Sequence, residues 1–566
     1  MRTFLFLLVC ILVEPLAAQH SALYPVSIKE QAEVSTVIVE GEVVAQKCVW
    51  NKSHDFIYTL SIVEVYKSFK GQADQFVTVC TAGGIVDNEG VEVSESLKLK
   101  HKDKGVFMLK ESDANVNSEL QHFDVVSDLQ GFYTYEIHKN ECYNPFYRFQ
   151  GIDEFYKLMQ VELDSPFEII KENDWFTGNP GAMNKTASVS FSPKSTSAGT
   201  RSVVTLTGSG FGTASGDVAF KWADDGGQTY KSVLGSQIIS WTDTEIKVEV
   251  PSFAGTGTIQ VTDANSVSQE SSSALTITFA QTNYESSGQA LFTSLIDQDS
   301  DGGYTWHMFT DFDANQNAKT DFLNAFYTWK CSSEVNWKMG AVTTTDSTKV
   351  DGENVIRFDN GNELPMGVLG RCVSHFFVCG SPQVASVIEI DMIIDDGVTF
   401  HYGPGSPPQG VFDFQSVVVH ELGHGHQLGH VIDSNDIMYY GLAPGVSRRN
   451  LGSNDVVGGD FVQDRCEADS ACQFGRTTAL LCSIGLHEEQ VEFSAVYPNP
   501  AIDHFFVVGE KNDKLSLFNS LGQMVVFNSG YDGTKWKVDC SKFPEGVYLL
   551  IKESSETKTM HRIIIQ

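Results

Sequence analysis

Residues 420 to 430 read His-Glu-Leu-Gly-His-Gly-His-Gln-Leu-Gly-His, and no other stretch of the 566-residue chain limits its folding so tightly. His420 and His424, four residues apart, share one face of a helix about one turn from each other, so their imidazoles can meet one ion. Glu421 stands beside the first of them and can reach a metal-bound water without being a ligand. Neutral nitrogen donors, an open position and a proton-accepting carboxylate are what zinc-assisted hydrolysis requires. His430 follows His424 by six residues, about 240° round an unbroken helix. It can be the third ligand only if the helix ends and the chain turns back, which glycine does most cheaply. Asp433 is the fallback donor. His426 falls on the opposite face, about 200° from His424, and is expected to be exposed or to support a ligand.

The rest of the chain sets the compartment. Arg2, the apolar run Phe4 to Val13 and Leu16-Ala17-Ala18 form a signal peptide over residues 1–18, too short to span a bilayer. A lipid anchor at Cys10 is the rival, disfavoured by the bulky Val9. No later run of eighteen apolar residues occurs, so no transmembrane segment is expected and the mature chain reads as exported and soluble. With 39 basic and 72 acidic residues the net charge is −33. Such a surface repels phosphate backbones and argues against nucleic-acid partners. Ten cysteines remain beyond Cys10, none in a CxxC pair, which favours disulfides over a cysteine-built zinc knuckle. Cys48 with Cys80 and Cys372 with Cys379 are the local pairs expected.

Hydrophobic residues at 42% and charged ones at 20% support several folded cores rather than disorder. Residues 19–180 alternate β-branched runs with glycine and read as a β-rich N-terminal domain. Residues 185–280 shift to Ser, Thr, Gly and Val in short strands at sandwich spacing. Their Ser192-Pro193, Gly208-Ser209-Gly210-Phe211-Gly212 and Trp241 to Ile246 resemble an immunoglobulin-like TIG/IPT domain. A stretch with Cys466, Cys472 and Cys482 occupies 466–490. The strings VYPNPA, LSLFNSLGQMVV and FPEGVYLLIK within 491–566 resemble the C-terminal sorting domain of the type IX secretion system of certain Gram-negative bacteria. That resemblance implies an Ig-like β-sandwich, transit through the periplasm, and release outside the cell or attachment to its surface.

Residues 281–465 carry the histidines and resemble the metzincin zinc peptidases, specifically the matrixins. The pattern HExxHxxGxxH followed by a Met-turn is met by His420, Glu421, His424, His430 and, in SNDIMYYG, Met438. Gln427 stands where the family has glycine, at a cost of about 1–2 kcal/mol if it keeps the left-handed turn, unless Gly425 or Gly429 shifts the bend. The resemblance implies an α/β catalytic domain, zinc on the three histidines, Glu421 as general base, Met438 as an apolar floor, and protein or peptide substrates. Tyr440 matches the tyrosine that some metzincins swing onto the metal, with a packed wall residue as the other reading. The competing function is a metal-binding surface adhesin or scaffold without catalysis, for which the intact Glu421 has no use. Asp297, Asp299 and Asp301 alternate before Gly302 as in a calcium loop, and Asp311, Asp313, Asn315 and Asn317 repeat the spacing. Met308 at the twelfth position excludes an EF-hand, and a solvated acidic turn is the alternative. No PRCGxPD cysteine box is present. If the enzyme is held latent, the N-terminal region must do it otherwise, for example with a carboxylate over the zinc.

Overall fold

The computed structural model describes residues 22–176 and 189–480 except 362, 382 and 469–471, then residue 482 and, with short breaks, 496–565. The signal-peptide reading of 1–18 lies outside the described residues. Two compact units emerge, Met1–Leu481 and Cys482–Gln566. No helix among the described residues is long and apolar enough to cross a membrane.

In the N-terminal part, strands β1 (Val37–Trp50), β2 (Ile57–Lys70), β3 (Phe76–Ala82), β6 (Lys104–Glu111) and β7 (Phe123–Val125) close into a ring. β1 pairs with β2 and with β6, β2 with β3, β3 with β7, and β7 with β6. Alternating Val39, Val63, Val65, Val79, Phe107 and Leu109 point inward and are buried, which drives the closure. Between β3 and β6 a hairpin, β4 (Gly84–Val86) and β5 (Glu89–Val93), leaves the ring altogether.

The TIG-like part, from Ser190, packs two four-stranded sheets over Val204, Leu206, Phe220, Ile246, Val248 and Ile259. Its last strand, β8 (Thr276–Gln281), runs parallel to Ser195–Ala198. The following part is an α/β layer. Strands β9 (Tyr304–Met308), β10 (Trp337–Met339), β11 (Asn354–Phe358), β12 (Gly370–Cys379) and β13 (Val384–Ile394) form a sheet in the order β10-β9-β11-β13-β12, antiparallel only at β12. Helices α1 (Gln316–Ser333) and α2 (Phe414–Gly425) cover it, with Trp306, Phe322, Trp329, Ile390, Val418 and Leu422 fully buried between the layers. Helix α3 (Ser453–Ala468) closes the part.

The regions read from sequence as separate domains interlock. Hairpin β4–β5 joins the α/β sheet, β5 pairing antiparallel with β12 so that the order continues β12-β5-β4. β8 pairs with β14 (Leu428–Gly429), just before His430. In the second unit, two four-stranded sheets enclose Phe505, Val507, Leu517 and Leu550, as the sandwich reading expects.

The local disulfide pairs are not formed: Cys48, Cys80 and Cys372 are free thiols. Cys379 bonds Cys472, ninety-three residues on. Cys372 and Cys379 lie on one extended strand, which separates them too far to bridge.

Candidate metal centre

Helix α2 starts at Asp413, whose Oδ2 accepts the Ser416 backbone N–H at 3.1 Å and an Arg449 Nε–H at 2.8 Å. Its apolar face is held by Trp329, whose indole N–H donates to the Val419 carbonyl at 2.7 Å. His420 and His424 therefore point together from one anchored face. The helix ends at Gly425, and the left-handed residue is Gln427 itself, with φ 63°. Neither Gly425 nor Gly429 takes over the bend. The side chain compensates: Gln427 Oε1 accepts the Tyr284 hydroxyl at 2.9 Å and Nε2 donates to Ser374 Oγ at 3.2 Å.

The turn brings His430 back. Ring centroids of His420, His424 and His430 lie 4.7, 4.9 and 5.2 Å apart. The Nδ1 atoms face acceptors outward: His420 toward Ile437 O at 2.9 Å, His424 toward Leu428 O at 2.9 Å, His430 toward Asp224 Oδ1 at 2.8 Å. Those contacts occupy each Nδ1 and turn the three Nε2 atoms inward. His424 Nε2 is buried without a hydrogen-bond partner. Burial holds His420 well below the usual imidazole range and His424 down to about 4, so both stay neutral as ligands must. His430 differs. Burial opposes charge there, but the Glu95 and Asp224 carboxylates outweigh it and raise the group to about 10, so without an ion its Nε2 carries a proton toward Glu95 that a metal would displace. These donors fit a zinc ion.

Glu95 comes from the N-terminal part, just after β5. Its Oε1 lies 3.1 Å from His430 Nε2, and it converges with all three histidines into one set of potential metal donors. Glu421 is fully buried beside them. Burial and the charge of Glu95 push it up to about 8, against the opposing bond from Ser94. Its Oε2 accepts the Ser94 hydroxyl at 2.8 Å, while Oε1 has no hydrogen-bond partner.

Met438 is buried directly beneath the helix. A Cβ at Gly423 would sit 2.1 Å from its sulfur, so the glycine between the histidines makes room for that floor. Asp455 accepts the Ile437 and Met438 N–H groups at 2.6 and 3.1 Å and fixes this turn. Tyr440 is buried, its hydroxyl end against Gly226 of the TIG-like part. His426, expected to be exposed or to support a ligand, is fully buried with its ring edge-on to Trp329 and Trp337. Asp433 is exposed and turned to Asn435, so the fallback donor has no part in the cluster.

The acidic turn is held by local hydrogen bonds and ion pairs. Asp299 Oδ1 accepts the Asp301 and Gly303 N–H groups, Asp297 Oδ1 accepts that of Gly302, and Lys338 pairs with Asp299 and Asp301. Among the described residues these carboxylates do not converge as a donor group. The second acidic run is used locally. Asp313 pairs with Lys319, and Asn315 caps α1.

Fold and site together define a matrixin-type metzincin domain, with a TIG domain before it and a type IX secretion sorting domain at the C-terminus. Family models agree: residues 300–460 match Matrixin, 188–279 the IPT/TIG domain, and 495–566 the secretion system C-terminal sorting domain. The chain is 30% identical over 149 residues to Metalloendoproteinase 1-MMP of Arabidopsis thaliana, covering 26% of this chain and 38% of that protein. It is 43% identical over 53 residues to Metalloendoproteinase 1 of Glycine max, covering 9% of this chain and 17% of that one. The chain thus spans well under half the length of either relative.

The fold brings together the three histidines, Glu421 and Met438 that the sequence singles out, and adds Glu95, Ser94 and Asp224, which it does not. Those three lie hundreds of residues away in sequence and belong to no motif.

Proposed function

We propose that the chain is an exported zinc-dependent endopeptidase that hydrolyses peptide bonds in proteins. The single observation carrying this reading is the convergence of three inward-facing imidazole nitrogens beside a buried carboxylate that is not needed to hold the ion. His420, His424 and His430 would hold zinc, and bound zinc supplies a Lewis acid and a water of lowered pKa. Glu421 takes the water's proton on a carboxylate oxygen and delivers it to the leaving amine. Burial favours a protonated carboxyl, which suits the second step. Asp224 holds the His430 ring in place. Tyr440 is the candidate to approach the substrate oxyanion, and Tyr440→Phe tests it: a fall in kcat with KM unchanged supports the role, and unchanged kinetics rejects it.

The sorting domain supports export through the type IX machinery as the route out of the cell. A calcium ion at Asp297, Asp299 and Asp301 is a separate proposal, and it would have to displace Lys338. Calcium heat in a calorimetric titration that disappears in Asp299→Ala would support it; identical titrations would reject it. For the main reading, with Glu95 replaced by alanine so that no fourth protein donor fills the metal's open position, adding Glu421→Ala should keep one zinc per chain and lose casein or gelatin cleavage by several orders of magnitude. Equal cleavage by both proteins rejects the peptidase in favour of the metal-binding scaffold.

A further inference from the structure

The hairpin whose strands lie outside the N-terminal ring's ladder leads into the metal centre, packing on one side against Phe56 and Ile57 of the N-terminal part and pairing on the other with the catalytic sheet. β5 adds to the free edge of β12 with Val93 opposite Val373, Val91 opposite His375 and Glu89 opposite Phe377. An extended peptide reaching the centre along this sheet would need the same edge, because strand addition satisfies its backbone. Ser94 continues the ladder. Its N–H donates to the Cys372 carbonyl at 2.9 Å, and its Oγ accepts the Cys372 N–H at 2.9 Å while donating to Glu421. Glu95 then turns into the histidines with φ 49°, a left-handed conformation that costs a non-glycine residue energy and is kept only where surroundings impose it. Two features hold the segment down. Arg371 donates to the Glu95 carbonyl at 3.0 Å and pairs with Asp128 of the same N-terminal part. Gly90 lies flat on Phe376, where a Cβ would come within 2.1 Å of the ring.

We propose that hairpin 84–95 is a built-in plug of the active site: Glu95 acts as the fourth protein ligand of the metal, Ser94 ties up Glu421, and β5 fills the edge that substrate needs. The inference rests on the zinc peptidase reading. It makes the N-terminal part the device that keeps the chain latent, in place of a propeptide cysteine. The carboxylate completes a four-coordinate set with no open position, the arrangement of structural and not catalytic zinc sites.

The test uses the full chain loaded with one zinc and acetohydroxamate, a small bidentate zinc ligand that needs the open position. Binding is read by calorimetry, and ligand number by the visible spectrum of the cobalt-substituted protein. Wild type should bind the hydroxamate at least ten-fold more weakly than Glu95→Ala, and its cobalt spectrum should stay unchanged as the ligand is added. Gly90→Val, which lifts the hairpin off Phe376 without touching a donor, should open the site in the same way and serves if Glu95→Ala folds poorly. Equal hydroxamate affinity in wild type and both variants overturns the plug. If the variants bind hydroxamate but cleave no protein, the plug stands and the peptidase reading fails; if wild type cleaves protein as fast as they do, the plug fails and the peptidase reading stands.

Discussion

Gln427 offers the sharpest check on the physical reasoning, because replacing it with the glycine of the matrixin pattern would ordinarily be expected to help. Glycine removes a left-handed strain of about 1–2 kcal/mol. Against that, Gln427→Gly takes the acceptor from the buried Tyr284 hydroxyl and the donor from Ser374, 2.9 and 3.2 Å away. Leaving a buried polar group without its partner costs about 1–3 kcal/mol, and the second bond about 0.5–1.5 kcal/mol. Added backbone freedom in the unfolded chain costs roughly 0.5–1 kcal/mol more. The balance is a net destabilisation of about 1–3 kcal/mol, or roughly 3–10 °C for a domain of this size. Differential scanning calorimetry of the zinc-saturated full chain measures it, with Gln427→Asn as the control that tolerates the conformation and keeps an amide. A glycine variant that melts at or above wild type refutes the claim that side-chain bonding outweighs backbone strain at this turn.

Asp224→Ala should weaken zinc binding about 10–100-fold, the usual cost of losing a carboxylate behind a ligating histidine, as read by competition with a fluorescent chelator; an unchanged Kd would remove the TIG domain from the site. Gly423→Ala should lower stability by about 1–3 kcal/mol through overpacking on Met438, with partial recovery when Met438→Ala is added; a single variant that melts like wild type would mean the sulfur is not seated there. Glu389 is buried beside Asp391 and His375, and burial raises its carboxyl from 4.5 to about 8. Because the folded value exceeds the unfolded one, its contribution to stability is full below pH 4.5 and is lost as pH rises through about 8. Glu389→Gln should therefore flatten the fall in melting temperature between pH 5 and 8.5, and parallel curves for the two proteins would refute this.

What the sequence made legible is what local spacing encodes. The helix through His420 and His424 follows from their four-residue interval, and the return of His430 follows from the rotation an unbroken helix would have imposed. Met438 and the sandwich parts were legible through resemblance. Glu95, Ser94 and Asp224 were not, since Val-Ser-Glu-Ser and Ala-Asp-Asp look like ordinary polar turns until the fold brings them to the histidines. The acidic alternation at 297–301 does not by itself separate a cation loop from a hydrogen-bonded turn, because a backbone turn and Lys338 use the same carboxylates that a cation would want. The burial of His426 was not legible, because it depends on Trp329 and Trp337, which come from two other elements.

Hairpin 84–95 is joined to its ring at both ends, through β3 and β6. A single cut anywhere between the N-terminal part and the TIG domain would leave every residue of it in place. Such a cut would only turn a tethered inhibitor into a two-chain complex and remove the high effective concentration that the tether supplies. Release would then be governed by dilution: nicked molecules would stay silent when crowded and switch on as they spread away from the cell.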